Sequence, residues 1–186
     1  MTKKETYTNQ LSLDEPRWFA IYTNFKREKL VQKMLVQKGI ENYLPLQKAT
    51  RRYARKVRTV ELPLISGYVF VKIVKSQYIP VLETEHVLRF IRFSKNLLAI
   101  PESEIELIKR VVGEGLEIEM EPAGYQEGDE VEIVGGNLTG LRGKLVSRDG
   151  KKKFTIELEN LGYTLRLSVD AGLLHKINKP AAAASR

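Results

Sequence analysis

The sequence predicts an α+β protein in two parts: an antiparallel sheet covered by helices over residues 17–112, then a small β-barrel over residues 125–178. Three features predict it. Up to Val112, short runs of alternating hydrophobicity change places with runs of helical period. From Gly113 to Gly124 both periods fail in a stretch of glycine, glutamate and proline, which reads as a linker although LEIEM could pair as a strand. Beyond it, five short strand patterns follow at close spacing with turn residues between them, as in a small all-β barrel.

Each element has a local cause. In RWFAIYTN, Trp18, Ala20 and Tyr22 alternate with Phe19 and Ile21, so a strand there has two distinct faces. Asn24 stands as N-cap to the helix FKREKLVQKMLVQK, which sets Leu30, Val31, Met34 and Leu35 on one stripe and ends at Gly39, where a left-handed residue suits a helix C-terminus. NYLPLQ reads as a strand that runs into a basic loop, KATRRYARKVR, and YVFVKIV after Gly67 as a second clear strand. In SQYIPVLETEHV, a short helix capped by Ser76 holds Pro80 in its first turn, where no helical hydrogen bond is lost. VLRFIRF is the next strand. SEIELIKRVV then opens with Ser103 and Glu106 in capping-box spacing and carries Ile105, Ile108 and Val112 on one side. The second part contributes VEIV, GKLVSR, FTIELE, TLRLSV and LLHKI, and residues 1–16 and 179–186 are expected to be tails.

Composition narrows the function. The 186 residues are 42% hydrophobic and 29% charged, ordinary for a globular chain with one or two modest cores. There is no cysteine, and the two histidines, His86 and His175, have no metal-ligand spacing, so neither metal nor cofactor is expected. No nucleophile stands near a base by motif, which leaves an enzyme little to act with. No segment reaches the roughly 18 uninterrupted apolar residues of a membrane span, and MTKKETYTNQLSLDEP lacks a signal-peptide core, so a cytoplasmic protein is expected. A net charge of +8 and a pI near 9.6 favour an anionic partner.

The stretch GDEVEIVGGNLTGLRGKLV interrupts two alternating runs with glycine, as sharply bent barrel strands require. It is not a phosphate loop, because Leu138 and Leu145 stand where that motif needs glycine and a hydroxyl residue. Asn137-Leu138-Thr139 matches a glycosylation sequon, an accidental match without a secretory signal. The spacing of Gly128, Asp129, Val131, Ile133, Gly136, Gly140 and Gly143 resembles the KOW motif of transcription elongation factors and some ribosomal proteins. With RWFAIYTNFKREKLVQKML, SGYVFVKI, VLRFIRF and SEIELIKR ahead of it in this order, the chain resembles the bacterial NusG family over about residues 17–177. Ile65-Ser66 stands where many members have an aromatic and a proline, and Phe70 after Val69 is closer to specialised, operon-specific paralogs such as RfaH and the capsule-locus antiterminators. The resemblance implies an NGN domain followed by a KOW, SH3-like barrel. It further implies an elongation or antitermination factor that binds RNA polymerase at the clamp helices of the largest subunit and suppresses pausing or termination. Its barrel would recruit a small-subunit ribosomal protein or the terminator Rho.

In YVFVKI, Val69, Val71 and Ile73 point one way while Tyr68 and Phe70 point the other, and the first strand can set Trp18 and Tyr22 beside them. Four aromatics there form either an exposed binding patch or a face covered by the barrel or the last helix. The resemblance implies the first: polymerase docking by Trp18, Tyr22, Tyr68 and Phe70, bordered by Ile105 and Ile108. A rival is an RNA-binding or ribosome-associated KOW protein that never meets polymerase. For it, SGYVFVKI matches an RNA-stacking RNP1 motif at Gly67, Tyr68, Phe70 and Val71, though Ile21-Tyr22-Thr23-Asn24 is a poor partner motif. Lys48, Arg51, Arg52, Arg55, Lys56 and Arg58 place six cations in eleven residues without an acid, either a solvated hairpin tip or a set of phosphate contacts to non-template DNA or RNA. The resemblance adds Lys26 and Arg27 to the nucleic-acid set.

Overall fold

The structure, a computed structural model, describes residues 7–53, 56–93, 95–115, 118–122, 128–148, 151–158, 163–167, 169 and 171–177. Its elements run β1 (Arg17–Thr23), α1 (Glu28–Gln37), β2 (Glu41–Tyr43), β3 (Leu46–Tyr53), β4 (Lys56–Pro63), β5 (Tyr68–Ile73), α2 (Tyr78–Leu82, entered through a 3-10 turn at Lys75–Gln77), β6 (Val87–Phe90) and α3 (Glu102–Gly113). They continue with β7 (Ile118–Pro122), β8 (Asp129–Ile133), β9 (Arg142–Arg148), β10 (Lys151–Leu158), β11 (Tyr163–Leu167) and β12 (Leu174–Lys176). The chain divides into two compact units between Lys109 and Arg110.

In the first unit the alternation of β1 has its expected consequence. The strand lies inside an antiparallel sheet of order β2-β5-β1-β6, and its register with β5 pairs Phe19 with Val71 and Ile21 with Val69. That face joins Ile73, Val31 and Leu35 of α1, Val81 of α2 and Phe90 in one buried cluster. Each such side chain contributes roughly 1.5–3 kcal/mol through removal from water. Helix α1 begins later than Asn24 implies, because the Asn24 carbonyl accepts the Arg27 N–H at 3.1 Å and Lys26 takes a φ of +58°, which makes a turn of the cap. Its apolar stripe is also narrower, with Val31 and Leu35 buried and Leu30 exposed. It ends as expected, with Gly39 at φ +68° and N–H bonds from Gly39 to Val36 and from Ile40 to Leu35, both 3.0 Å.

NYLPLQ does not make one strand. Pro45 has no N–H for a ladder, and the chain divides around it into β2, which stays in the sheet, and β3, which leaves it. The basic segment expected as a loop is a hairpin arm, with β3 and β4 paired from Leu46 with Pro63 to Tyr53 with Lys56. Pro80 sits in the first turn of α2 as expected, but Ser76 does not cap; Val74 N–H donates to Gln77 Oε1 at 3.1 Å instead. Strand β6 stops at Phe90, short of the full VLRFIRF run. Ser103 lies inside α3, because the Pro101 carbonyl accepts the N–H groups of Glu104 and Ile105 and so occupies the capping place. The buried side of α3 is Ile105, Ile108 and Val111, with Val112 only partly covered. Nor is the start of the chain a tail throughout. Asn9 bridges Leu97, Gln10 N–H donates to the Leu97 carbonyl at 2.9 Å, and Lys75 N–H donates to the Ser12 carbonyl at 2.7 Å.

The second unit is a six-stranded antiparallel sheet of order β12-β8-β9-β10-β11-β7, with Val131, Ile133, Leu165 and Leu167 buried. Gly128 precedes β8 where a β-carbon would overlap the Leu145 carbonyl oxygen of β9, so close backbone approach explains this glycine. Strand β7 arises inside the expected linker. It pairs with β11 from Ile118 with Leu167 to Pro122 with Tyr163, and Ile118 is buried. A fragment of residues 125–177 should therefore be less stable than one of residues 113–177, by about 2 kcal/mol for the missing burial of Ile118 alone. Urea midpoints of the two fragments measure this, and equal midpoints would remove β7 from the cooperative unit.

Candidate functional site

The register of β1 with β5 also composes the second face of the first sheet. Tyr22 pairs with Tyr68, Ala20 with Phe70 and Trp18 with Lys72, all pointing away from the α1 core, and β2 adds Tyr43 opposite Phe70. Tyr43 and Phe70 stack at 6.3 Å between centroids. Helix α3 is fastened here by charges placed against rings. The Trp18 indole N–H donates to Glu102 Oε2 at 3.0 Å, and Lys72 Nζ lies 3.0 Å from the same oxygen. Lys109 Nζ stands 5.7 Å from the Trp18 centroid and 5.6 Å from that of Tyr43, with Glu106 Oε1 at 2.7 Å.

This arrangement corrects the expectation of four exposed aromatics. Trp18 is 2% exposed, and Phe70, Ile105 and Ile108 are 0% exposed. The physical reason is that alternation decides which face a side chain joins and not what lies over that face. Phe70, the central residue of the RNP1 match, is among these buried side chains. Tyr22 and Tyr68 remain half-buried. Their rings meet edge to face at 5.8 Å and 81°, and the Arg89 guanidinium of β6 lies 5.2 Å over Tyr22, its register partner. Tyr43, Lys72, Arg89, Glu102 and Lys109 join this face although no motif in the sequence singles them out. Only their cross-strand register and the placement of α3 bring them together.

Electrostatics follow the same contacts. The Glu102 carboxyl is held below the ordinary carboxylate range, chiefly by the Lys72 hydrogen bond and then by the Trp18 indole. Lys72 is held above its ordinary range by its hydrogen bond to Glu102. Burial, helped by Glu106, pushes the Tyr43 phenol up to about 12, so it stays neutral.

Of the predicted nucleic-acid set, Lys26 and Arg27 are exposed in the turn before α1, and Lys48 and Arg58 are exposed on the hairpin. Arg51 faces Arg58 in the ladder, Arg52 faces Val57 and Lys56 faces Tyr53. Arg55 lies outside the described residues. Lys29 of α1 reaches Glu61 of β4 at 3.7 Å, which ties the arm to the helix that follows Lys26 and Arg27. In the carboxy-terminal run, Val131 and Ile133 are core, and Asp129 pairs with Lys176 at 2.8 Å.

Residues 16–109, just over half of the chain, match the family described as transcription termination factor NusG. The chain belongs to the NusG family. That family is one of transcription factors, and membership carries a role in transcription elongation. No curated protein matches the sequence. A solved structure described as domain interaction in Thermotoga maritima NusG is similar at a TM-score of 0.56 and 19% identity, covering 88% of this chain and 98% of that one. At that identity the likeness speaks to the NusG fold alone. The MjSpt4:Spt5 complex in conformation B aligns at a TM-score of 0.29 and 19% identity, covering 87% of this chain and 97% of that one, and carries no weight for the fold. No helix among the described residues is long and apolar enough to cross a membrane.

A low-pH signature follows. Because the Glu102 pKa falls on folding, its contribution is complete above the ordinary value of 4.5 and is lost as pH drops through the lower folded value. Lys72 has the opposite sign, contributing below the ordinary value of 10.5 and losing that contribution above its folded value. Glu102 is 52% exposed, so solvent screening limits the pair to about 0.2–1 kcal/mol. Trp18 is the single tryptophan, and its fluorescence should titrate with Glu102 below the ordinary carboxylate range. Glu102→Gln should abolish that titration and lower stability by less than about 1 kcal/mol.

Proposed function

We propose that this chain is a NusG-family elongation factor that docks on RNA polymerase, at the clamp helices of the largest subunit, through the second face of its four-stranded sheet. It suppresses pausing or termination by favouring the polymerase state to which it binds more tightly. The carboxy-terminal sheet, carrying the KOW-like run from Gly128 to Gly143, recruits a second partner, a small-subunit ribosomal protein or Rho, in the cytoplasm. Family membership supports polymerase as the partner class, since members bind RNA polymerase and partner proteins.

The observation that carries the site is the Tyr22–Tyr68 pair, two rings held edge to face and half-buried beside Arg89. Aromatic and arginine side chains of this kind are the usual anchors of interfaces. Trp18, Phe70, Ile105 and Ile108 are buried, so in this reading the partner meets the half-buried tyrosine pair first. The double change Tyr22→Ala, Tyr68→Ala should weaken polymerase binding by roughly thirtyfold, about 2 kcal/mol, with a small loss of melting temperature. Phe70→Ala is the control, expected to cost about 3–5 kcal/mol of stability as a core truncation. A double variant that keeps wild-type affinity in a polymerase binding assay would remove docking from this face. Capture of ribosomal particles alone from lysate would return the chain to the rival class of ribosome-associated KOW proteins.

The basic arm adds affinity for non-template DNA or RNA within the elongation complex without reading sequence. Replacing Arg51, Arg52, Lys56 and Arg58 with Ala should weaken binding uniformly across sequences. The salt dependence should flatten by about 0.7–0.9 in log–log slope for each phosphate that the arm no longer neutralises. An unchanged slope would assign the arm to solvent.

A further inference from the structure

Glu28 stands in a run of cations, KREK, and gives no sign in the sequence of being anything but a surface acid. It is 4% exposed. Its Oε1 accepts the N–H of Gly67 at 2.7 Å, a residue 39 positions away at the entrance to β5. The carbonyl of Gly67 is held at the same time by the Thr23 N–H, which donates at 2.8 Å, while the Thr23 hydroxyl lies between this carbonyl at 3.4 Å and that of Asn24 at 3.3 Å. Gly67 is thus held at both its N–H and its carbonyl, once from the first turn of α1 and once from the end of β1.

What this fixes is the seat of the tyrosine pair. Gly67 has φ +81°, a conformation open to glycine and strained for other residues, and a β-carbon there would lie 2.6 Å from Cε2 of Tyr22. The Tyr22 ring therefore rests on the bare backbone of Gly67, and Tyr68, the next residue, meets it edge to face. We propose that Glu28 is a positioning residue: its carboxyl oxygen, through Gly67, sets the orientation of the Tyr22–Tyr68 pair. The orientation bears on polymerase affinity only on the docking function proposed above.

Two substitutions separate position from charge. Glu28→Gln keeps the length of the side chain and an acceptor oxygen but not the acid, whereas Glu28→Asp keeps the acid and withdraws the oxygen from Gly67 by one methylene. The mutual ring-current shifts of the Tyr22 and Tyr68 ring protons, read by NMR on tyrosine-labelled full chain, report the pair without any partner present. Glu28→Gln should keep these shifts, and Glu28→Asp should collapse them while the chain stays folded by thermal melting. Polymerase affinity should fall by about tenfold in Glu28→Asp and stay within about twofold in Glu28→Gln, as for removal of one buried hydrogen bond to a carboxyl group. The reverse pattern, shifts kept by Asp and abolished by Gln, would overturn the proposal and leave Glu28 as an acid serving the helix N-terminus. Shifts that survive both changes would overturn it as well. Shifts abolished in Glu28→Asp with polymerase affinity unchanged would uphold the positioning role and count against docking by this face.

Discussion

The ladder between β1 and β5 is the constraint on which the first unit depends. Six consecutive residue pairs put Phe19 and Ile21 on one side with Val69 and Val71, and Trp18, Ala20 and Tyr22 on the other with Tyr68, Phe70 and Lys72. A slip of one residue would exchange the two sets. The two faces are covered by different elements, and only the second adds charged contacts to apolar burial. Apolar burial against α1 and α2 closes the first, whereas on the second, ion pairs and cation–π contacts hold α3 against Trp18 and Tyr43. Magnitudes divide the work: a half-exposed pair such as Lys72–Glu102 is worth at most about 1 kcal/mol, while burial of Ile105 and Ile108 is worth roughly 1.5–3 kcal/mol each. Burial therefore supplies most of the stability of α3, and the ion pairs and cation–π contacts fasten it at Trp18 and Tyr43.

Legibility in the sequence follows that division. Alternation is a one-dimensional signal, and the strands RWFAIYT and YVFVKI and the core face they share are readable from it. Helix starts are less readable. Asn24, Ser76 and Ser103 all have capping chemistry, yet a left-handed turn at Lys26, the Gln77 side chain and the Pro101 carbonyl take the capping places. Each of those competitors is set by the chain's path beyond the helix. The hairpin arm reads as a loop because its strands carry no apolar face to alternate; backbone pairing sustains them. The expectation of an exposed patch fails for a related reason, since no period records what covers a face.

Glu28 is the sharpest case of the same limit. Burial of a carboxyl group without a partner would be strongly unfavourable, so the Gly67 N–H is required by the place the side chain occupies. Nothing in the run KREK distinguishes that place from its solvated neighbours. The glycine at the other end is visible in SGYVFVKI, but as part of a motif and not as half of a hydrogen bond spanning 39 residues. What connects the two is the turn at Lys26, which delays the helix until Glu28 is its first residue.

The basic arm and the tyrosine pair have separable physical roles in the proposed complex. The arm's acid, Glu61, stands opposite Lys48 in the ladder and within 3.7 Å of Lys29, so its negative charge is countered at the base of the hairpin. The charged positions from Lys48 to Arg58 are all cations. Exposed charges of one sign act over roughly a Debye length, about 8–10 Å at ordinary ionic strength, and mainly raise the rate of encounter with an anionic surface. The tyrosine pair is uncharged and acts only on contact, so its contribution falls chiefly on the rate of departure. Salt therefore weakens the first contribution and leaves the second nearly intact, which makes the two distinguishable in a single complex without altering any residue.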